Sequence, residues 1–276
     1  MTGADTQIVL EKMELLKESA MTSPVLIKHE NAVLNIVLNR PERLNALNTE
    51  MLDLAADAVE SAWNNPGIRA VVLTGSGRAF SAGADIAELA GGGPDISTID
   101  AANRLTTALR QVPKPVVAAV NGPAVGVGCS IAVAADLVVA RESAYFLLAF
   151  ANIGLMPDGG ATLLVPAKVG MARAARMAML AERIPAQLAL DWGLISHIVP
   201  DGDFDTEIGQ LTTRLAEGPT LAYAQTKRAL NMSSLVLLER ALAHERAGQS
   251  DLFGSDDYHE GVRAFREKRR PNFSGK

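Results

Sequence analysis

The sequence predicts an α/β protein whose core alternates buried strands with helices and is followed by a helical C-terminal part. Short, continuous apolar runs at 70–74 and 116–120 are typical of strands that are buried on both faces. Between such runs, apolar residues recur at the spacing of an amphipathic helix. Beyond Pro157 the pattern is nearly all helical, with breaks at Gly170, Pro185, Gly193, Gly218 and Pro219.

The length and composition fit one main domain with a smaller appendage. The chain has 276 residues, of which 48% are hydrophobic, so it can bury a sizeable core. Residues 1–22 are expected to be an N-terminal extension, disordered or loosely docked, because Met21 resembles a second start and the strand pattern becomes clear only from Pro24. We place the core at 23–215 and a helical C-terminal region at 216–276.

The first elements form a hairpin and a β-α-β unit. Two β-rich runs, 25–27 and 33–38, are separated by His29-Glu30-Asn31, which predicts a strand, a turn and a strand. Asn48 then begins a helix whose apolar positions extend to Ala62. The buried strand at 70–74 completes the unit.

A second unit of the same kind follows. It has a helix at about 98–111, the strand at 116–120, an apolar helix at about 128–135 and a strand at 136–140. Repeated right-handed units of this type stack their strands in a sheet and place the helices outside. The glycine-rich insert at 91–94 is expected to be a mobile loop beside the site.

Charge and composition exclude several functional classes. The net charge is −5, and phosphate binding needs a concentrated positive surface, so we expect no nucleic-acid partner. The short cluster Lys268-Arg269-Arg270 is either a solvated surface or part of a binding site for a small phosphorylated ligand. Cys129 is the single cysteine, so no intrachain disulfide forms, and a reducing compartment fits. Without an apolar run of ~18 residues or a secretory signal pattern, the sequence predicts a cytoplasmic protein and no membrane partner.

Two glycine-rich turns, 80–86 and 121–130, each follow a buried strand. Glycine allows positive φ and close approach, so backbone N–H groups can be aimed at a ligand oxygen, and the second turn leads into a helix N-terminus. The alternative is that small residues here only allow tight packing. The second turn lacks the third glycine and the acidic residue of the dinucleotide fingerprint, and no Gly-Lys-Ser/Thr loop occurs. We therefore expect neither a nicotinamide nor a nucleoside triphosphate cofactor.

Five blocks occur together in one order over about residues 24–274. They are NRP with LNAL at 39–47, FSAGADI at 80–86, the segment 114–129, IGLMPDGG at 153–160 and EGVRAF at 260–265. In these blocks the chain resembles the crotonase, or enoyl-CoA hydratase/isomerase, superfamily. The resemblance implies a spiral of β-β-α units with a helical C-terminal trimerisation region, a homotrimer or dimer of trimers, and an acyl-coenzyme A substrate.

The resemblance also implies which residues contact the substrate. The thioester carbonyl would lie between the backbone N–H groups of Ala84 and Val127. Many relatives have glycine at the second position, but the valine N–H can serve if its φ is allowed. The adenine and phosphates of coenzyme A would lie near Arg43, Leu44 and Ala46. The remaining expected contacts are Ser81, Ala82, Asp85, Ile86, Gly126, Ser130, Phe150 and Ile153. Asp85 more readily fixes its turn than touches substrate.

No separate cofactor and no metal are expected, since coenzyme A is part of the substrate. The four histidines, His29, His197, His244 and His259, are scattered without ligand spacing.

The acid/base group is expected to be Asp158. The resembled hydratases use two glutamates, and Ser130 and Phe150 occupy those positions here. Neither can move a proton near neutral pH. The resemblance places Asp158 where isomerases of ring-derived and unsaturated acyl-CoAs hold a catalytic aspartate. The alternative is that Asp158 caps the helix beginning near Ala161.

Three functions remain open at this point. The first is an enoyl-CoA isomerase, of the double-bond or ring-epoxide type, that uses Asp158. The second is a hydratase of non-standard mechanism or a dehalogenase-like enzyme. The resembled dehalogenases have a histidine near the first turn and a tryptophan near position 150, whereas this chain has Phe80 and Phe150. The third is a non-catalytic acyl-CoA-binding protein.

Overall fold

The structure is a computed structural model that describes residues 23–86 and 95–276. The expected extension at 1–22 and the expected glycine-rich loop at 91–94 lie outside the described residues, and both stay predictions.

The strands form one large sheet and one small one. They are β1 (Val25–Glu30), β2 (Val33–Leu38), β3 (Ala70–Gly75), β4 (Val116–Val120), β5 (Ala124–Val125), β6 (Leu137–Arg141), β7 (Tyr145–Leu147), β8 (Ile184–Pro185) and β9 (His197–Val199). The large sheet has the order β1-β2-β3-β4-β6-β9, in which β1 and β2 are antiparallel and the other neighbours are parallel. The small sheet has the order β5-β7-β8.

Ten helices lie in the described part of the chain. They are α1 (Thr49–Ser61), α2 (Ile96–Gln111), α3 (Val127–Val133), α4 (Ala161–Val169), α5 (Met171–Leu180), α6 (Ala186–Asp191), α7 (Phe204–Glu217), α8 (Thr220–Ser234), α9 (Leu238–Leu252) and α10 (Asp256–Arg266). Asn48 caps α1, as its position predicts, because its side chain accepts the Met51 N–H at 3.0 Å.

The central strands β3 and β4 of the large sheet are buried on both faces, which confirms the prediction from their continuous apolar runs. Side chains alternate along each strand, so Val71 and Leu73 face the main core, whereas Val72 faces a second cluster. That second cluster includes Phe204 and Ala216 of α7. Helices therefore cover the sheet on both sides.

Four predicted element boundaries differ from the structure, the first being that of α2, which begins at Ile96 and not at about 98. Strand β1 includes His29 and Glu30, and the hairpin turns at Asn31 and Ala32, whose φ values are +50° and +62°. Helix α3 is seven residues long and starts one residue earlier than predicted. Strand β6 begins at Leu137, and the Asp136 carboxylate just before it accepts the Val116 N–H at 2.9 Å.

The region after Pro157 is less uniformly helical than predicted. Strand β9 joins the large sheet beside β6, and β8 pairs with β7. These strands have three and two residues, which is too short for a period-2 pattern to stand out from the helical segments around them.

A second row of short parallel pairings follows the carboxyl ends of the main strands. After β2 the chain pairs through Leu47 with Ala84, and Ser81 pairs with Ala124. The row continues where β5 pairs with β7. Each β-α-β unit thus adds one short extended segment, and these segments bring the two glycine-rich turns together.

Two buried asparagines hold this second row against the main sheet. Asn45 donates to the carbonyl oxygens of Ser76 and Ala79 at 2.9 and 2.8 Å, and it accepts the Arg40 N–H. Asn121 accepts the Gly75 N–H and donates to Gly77. Side-chain amides therefore satisfy backbone groups that the sheet ladders cannot reach.

The C-terminal helices are fixed to the core by a buried ion cluster. Lys227 on α8 contacts the Asp136 carboxylate at 2.8 Å and donates to the Leu109 carbonyl at 2.6 Å. Arg110 contacts the same carboxylate at 3.2 Å. Burial lowers the pKa of Lys227 to about 8. The domain boundary at residue 215 stays a prediction.

Replacing Gly75 with alanine should destabilise the fold. A Cβ there would overlap the carbonyl oxygens of Ala79 and Phe80, which are backbone atoms in a well-packed region. We expect a loss of about 3 kcal/mol in the free energy of unfolding, measured by urea denaturation. Gly209→Ala is the matched control, because Gly209 lies within α7 with no atom near its Cβ position. It should gain about 0.5–1 kcal/mol. Equal stability of the two variants would contradict the packing described.

Candidate active site

A cavity of about 330 Å³ opens beside the second row of short segments. Its wall includes both glycine-rich turns, part of α2, the 3₁₀ turn Ala149–Ile153 and the C-terminal ends of α9 and α10. Most of the lining side chains are apolar. The polar or charged ones in the described residues are Arg43, Asp85, Thr98, Asn152, Asp158 and Gln249.

The pairing of Ala84 with Leu47 leaves the Ala84 N–H directed away from the partner segment. Leu47 donates its N–H to Gly83 at 2.7 Å and accepts the Asp85 N–H at 2.9 Å, so the bonds of Leu47 go to the residues on either side of Ala84. The Ala84 carbonyl accepts the Ile86 N–H at 2.9 Å. Within the described residues the Ala84 N–H has no acceptor, and Ala84 lines the cavity.

Val127 lines the same cavity and has a second N–H without an acceptor in its helix. It is the first residue of α3, so its N–H has no acceptor inside the helix. Gly126 takes the special conformation of the turn, with φ +54°, and Val127 itself has no positive φ. The predicted requirement on the valine is therefore met. Because α3 has only seven residues, this donor depends on its unpaired N–H and not on a long helix dipole.

The two turns approach each other closely. A Cβ placed on Gly83 would lie 2.9 Å from the Val125 oxygen and 3.6 Å from the Gly126 Cα. Glycine is required at Gly83 for this approach. Two unpaired N–H groups beside an apolar cavity can hold an oxygen that carries partial negative charge.

Asp158 is buried at the wall of this cavity, with 7% of its surface exposed. Its Oδ2 accepts the Gln249 Nε2–H at 2.8 Å, and its Oδ1 has no partner among the described residues. Burial raises the pKa of Asp158 to about 7; the Gln249 hydrogen bond acts to lower it, and the negative charge of Glu245 acts to raise it further. A carboxyl group of this kind can accept and return a proton near neutral pH.

Asp158 does not cap the following helix, so the alternative interpretation is wrong. Glu245 on α9 does this instead: its carboxylate accepts the N–H groups of Gly160 and Thr162 at 2.7 and 2.8 Å, and the Thr162 hydroxyl at 2.6 Å. Glu245 is fully buried, and burial raises its pKa. The carboxylate of Asp158 is thereby left for other chemistry.

Sequence reasoning missed Glu245 and Gln249. Their signal is their place on α9, where both follow Leu242 on the buried stripe at helical spacing. Polar residues at core positions of an amphipathic helix indicate a buried polar network.

The two positions that hold glutamates in hydratases contribute no carboxylate here. The Ser130 hydroxyl is buried and donates to the Gly126 carbonyl at 3.4 Å. Phe150 lines the cavity with its ring. In the described part of the chain two carboxylates line the cavity, those of Asp85 and Asp158, and Asp85 forms an ion pair with Arg40 at 2.9 Å.

The structure brings most of the predicted contact residues together. Those that line the cavity are Arg43, Ala46, Ala82, Ala84, Asp85, Ile86, Gly126, Val127, Phe150, Ile153 and Asp158. Leu44, Ser81 and Ser130 do not line it. Leu44 is in the left-handed region and its carbonyl accepts the Ala82 N–H, while the Ser81 hydroxyl donates to the Asn45 carbonyl. Both residues shape the backbone behind the wall.

Other lining residues were not predicted. They include Thr98, Ile99 and Ala102 on α2, together with Ala149, Asn152, Phe253 and Phe265. Within the C-terminal basic cluster, Arg269 forms ion pairs with Glu260 and Glu267, each at 2.5 Å. Its guanidinium is therefore engaged within the C-terminal segment.

Among the residues that the structure describes, no group of three or more potential metal ligands occurs. The same residues contain no helix with the length and apolar character needed to cross a membrane.

Comparisons with known proteins extend over most of the chain. A family model described as enoyl-CoA hydratase/isomerase matches residues 28–276. A protein of Rhodobacter capsulatus named probable enoyl-CoA hydratase is 45% identical over 243 residues, which cover 87% of this chain and 94% of that protein. The 1,2-epoxyphenylacetyl-CoA isomerase of Escherichia coli is 40% identical over 258 residues, covering 91% of this chain and 98% of that enzyme. A crystal structure of an enoyl-CoA hydratase from Mycobacterium avium subsp. paratuberculosis has a TM-score of 0.86 at 45% identity and covers 91% of this chain and 99% of its own.

Proposed function

The chain belongs to the enoyl-CoA hydratase/isomerase family, the crotonase superfamily, and we propose that it is an isomerase of the acyl group of a coenzyme A thioester. Its crotonase-like α/β fold with C-terminal helices is the predicted one. One observation carries the proposal of an isomerase. In the described cavity, Asp158 is the carboxyl group that no arginine holds, and it has an unpartnered oxygen.

In the proposed reaction the thioester oxygen accepts hydrogen bonds from the N–H groups of Ala84 and Val127. These bonds strengthen as negative charge develops on the oxygen, so they stabilise an enolate more than the ground state. For a 3-enoyl thioester, Asp158 removes a proton from Cα, and the C–H electron pair forms a dienolate. The same carboxyl group returns the proton at Cγ, which leaves a 2-enoyl thioester of unchanged mass.

The surroundings of Asp158 support this role. Phe150, Ile153 and Leu155 line the cavity beside it and exclude water. A base with a pKa of about 7 is matched to proton transfer at neutral pH. The 1,2-epoxyphenylacetyl-CoA isomerase relative supports a ring-derived substrate as one possibility within this class.

Hydration is the second candidate, because a 45% identical relative is named probable enoyl-CoA hydratase. It requires one group to activate water and another to deliver a proton. With Ser130 and Phe150 in the two glutamate positions, Asp158 would have to act alone, so the mechanism would be non-standard. A protein that only binds acyl-CoA is the third candidate.

We propose that coenzyme A is bound only as part of the substrate and that no separate cofactor takes part. Arg43 is exposed and lines the cavity, where its guanidinium can contact a phosphate of the coenzyme.

We also propose that the chain assembles as a homotrimer or a dimer of trimers. Leu221, Leu230 and Met232 on α8, with Val236 and Leu237 just after it, are 53–85% exposed. Apolar side chains in such a group are typical of a contact between subunits. Light scattering should give three or six times the chain mass of 29.1 kDa. A monomer mass would contradict the assembly.

The proposed function predicts that Asp158→Asn abolishes isomerisation. We expect a loss of about 10²–10⁴-fold in kcat, since the amide cannot accept the proton. The assay is a panel of 3-enoyl, 2-enoyl and ring-epoxide CoA thioesters, followed by mass and ultraviolet absorbance. In the unchanged protein kcat should fall as the pH drops below about 7, because the base must be ionised and its pKa is raised to that value.

Asp251→Asn, at an exposed position of α9, is the control and should retain activity. A product heavier by one water would favour the hydratase. If the unchanged protein turned over no substrate, and it and Asp158→Asn bound acyl-CoA equally well, a binding role would be favoured and the isomerase contradicted.

A second prediction tests the backbone donor. Val127→Pro removes one N–H at the first position of a helix, where proline is tolerated. We expect kcat to fall by about 10²–10³-fold. Val127→Ala keeps the N–H and shortens the side chain, so it should stay within about tenfold of the unchanged protein. Thermal unfolding of both variants separates loss of the donor from loss of the fold. Equal activity of a folded proline variant would rule out this donor.

A further inference from the structure

We propose that Gln249 is a positioning residue of this site, whose side-chain amide holds one carboxylate oxygen of Asp158 and leaves the other directed at the substrate. The orientation itself follows from contacts in the free protein. Its catalytic consequence rests on the proposed function, in which Asp158 is the acid/base group.

The amide of Gln249 is fixed from two sides. Its Nε2 donates to the Met156 carbonyl and to the Asp158 Oδ2, each at 2.8 Å, and the side chain is 1% exposed. A flipped amide would place Oε1 against a carbonyl and a carboxylate, which are both acceptors. The donor orientation is therefore the only one that these two partners allow.

The helix that carries Gln249 is itself held against the Asp158 segment. One turn earlier, Glu245 accepts the Gly160 and Thr162 N–H groups. Gly248 lets α9 lie close to Met156, because a Cβ there would overlap the Met156 sulfur. These contacts and the Gln249 amide bind α9 to both sides of Asp158.

This arrangement makes the two carboxylate oxygens of Asp158 unequal. Oδ2 is engaged with Gln249, whereas Oδ1 is buried and unpartnered among the described residues, in a side chain that lines the cavity. A proton transferred to Asp158 therefore goes to Oδ1. The hydrogen bond at Oδ2 favours the ionised form, which opposes the effect of burial on the pKa.

The other charged groups near Asp158 make no hydrogen bond to Gln249 in the described structure. Within the described residues, the ionisable groups around Asp158 are Glu245 on α9 and, on other parts of the cavity wall, Arg43 and the ion pair of Asp85 with Arg40. A change in Asp158 titration in Gln249→Met, which adds no ionisable group, can thus be assigned to the lost amide donor.

The test is the titration of Asp158 in the free protein. Aspartate carboxyl carbons are labelled with ¹³C and followed by NMR from pH 4 to 9, and the Asp158 signal is assigned by its absence in Asp158→Asn. Gln249→Met should raise the midpoint by roughly one pH unit or more, because a donor to the ionised form is lost. Gln249→Glu, which has nearly the same shape, should raise it too, since two facing carboxyl groups then share a proton.

Ser250→Ala, an exposed neighbour on the same helix, is the matched control and should leave the midpoint unchanged. With an active substrate, the pH below which kcat falls should rise by the same amount in the Gln249 variants. Unchanged midpoints in the folded Gln249 variants would overturn the proposal. Because the titration needs no substrate, its result is separate from the activity of Asp158→Asn, which decides the proposed function.

Discussion

The burial of one ionisable carboxyl group is the constraint on which the site depends. Asp158 keeps its proton up to a pH of about 7 in the folded protein, whereas an unfolded aspartate loses it near 3.8. Between these values the folded state binds a proton that the unfolded state does not, so the stability falls as the pH rises through this range. The difference of about three units corresponds to a cost on the order of 4 kcal/mol at pH 7 and above. Other parts of the fold must offset that cost. The buried ion cluster and the close-packed sheet are stabilising features that do not involve Asp158.

Helix α9 supplies the polar groups that surround the Asp158 segment. The β-α-β units alone would supply the two N–H groups of Ala84 and Val127, but they offer no partner to Asp158. Glu245 and Gln249 come from a part of the chain about 90 residues further on. Glu245 caps the helix that Asp158 could otherwise cap. Gln249 donates a hydrogen bond to one carboxylate oxygen of Asp158. The candidate site is therefore composite, with two backbone N–H groups from the core and a carboxyl group held by a C-terminal helix.

Local signals in the sequence were sufficient for the elements and insufficient for these partners. Asn48 caps its helix and the strand at 116–120 has the predicted bounds, because capping and continuous apolar runs act within a few residues. Strand β9, with three residues, exists only through its pairing with β6. The assignment of Asp158 as a possible cap was wrong for the same reason: a carboxylate distant in sequence occupies the cap. Tertiary contacts at such separation leave no periodic trace apart from polar residues on a buried stripe.

A frame of backbone donors does not by itself select a reaction. Any residue except proline has an N–H, which is why valine can stand at 127 once Gly126 takes the strained conformation of the turn. In the proposed mechanism the donors would stabilise an enolate whether it forms by loss of an α or γ proton or by addition of water at Cβ. That choice belongs to the side chains around the acyl group. In the proposed mechanism neither Ser130, whose hydroxyl is buried, nor Phe150 acts as a second acid or base, so one carboxyl group takes the proton and gives it back. The proposed dienolate is then protonated at Cγ, a step that isomerisation needs and hydration does not.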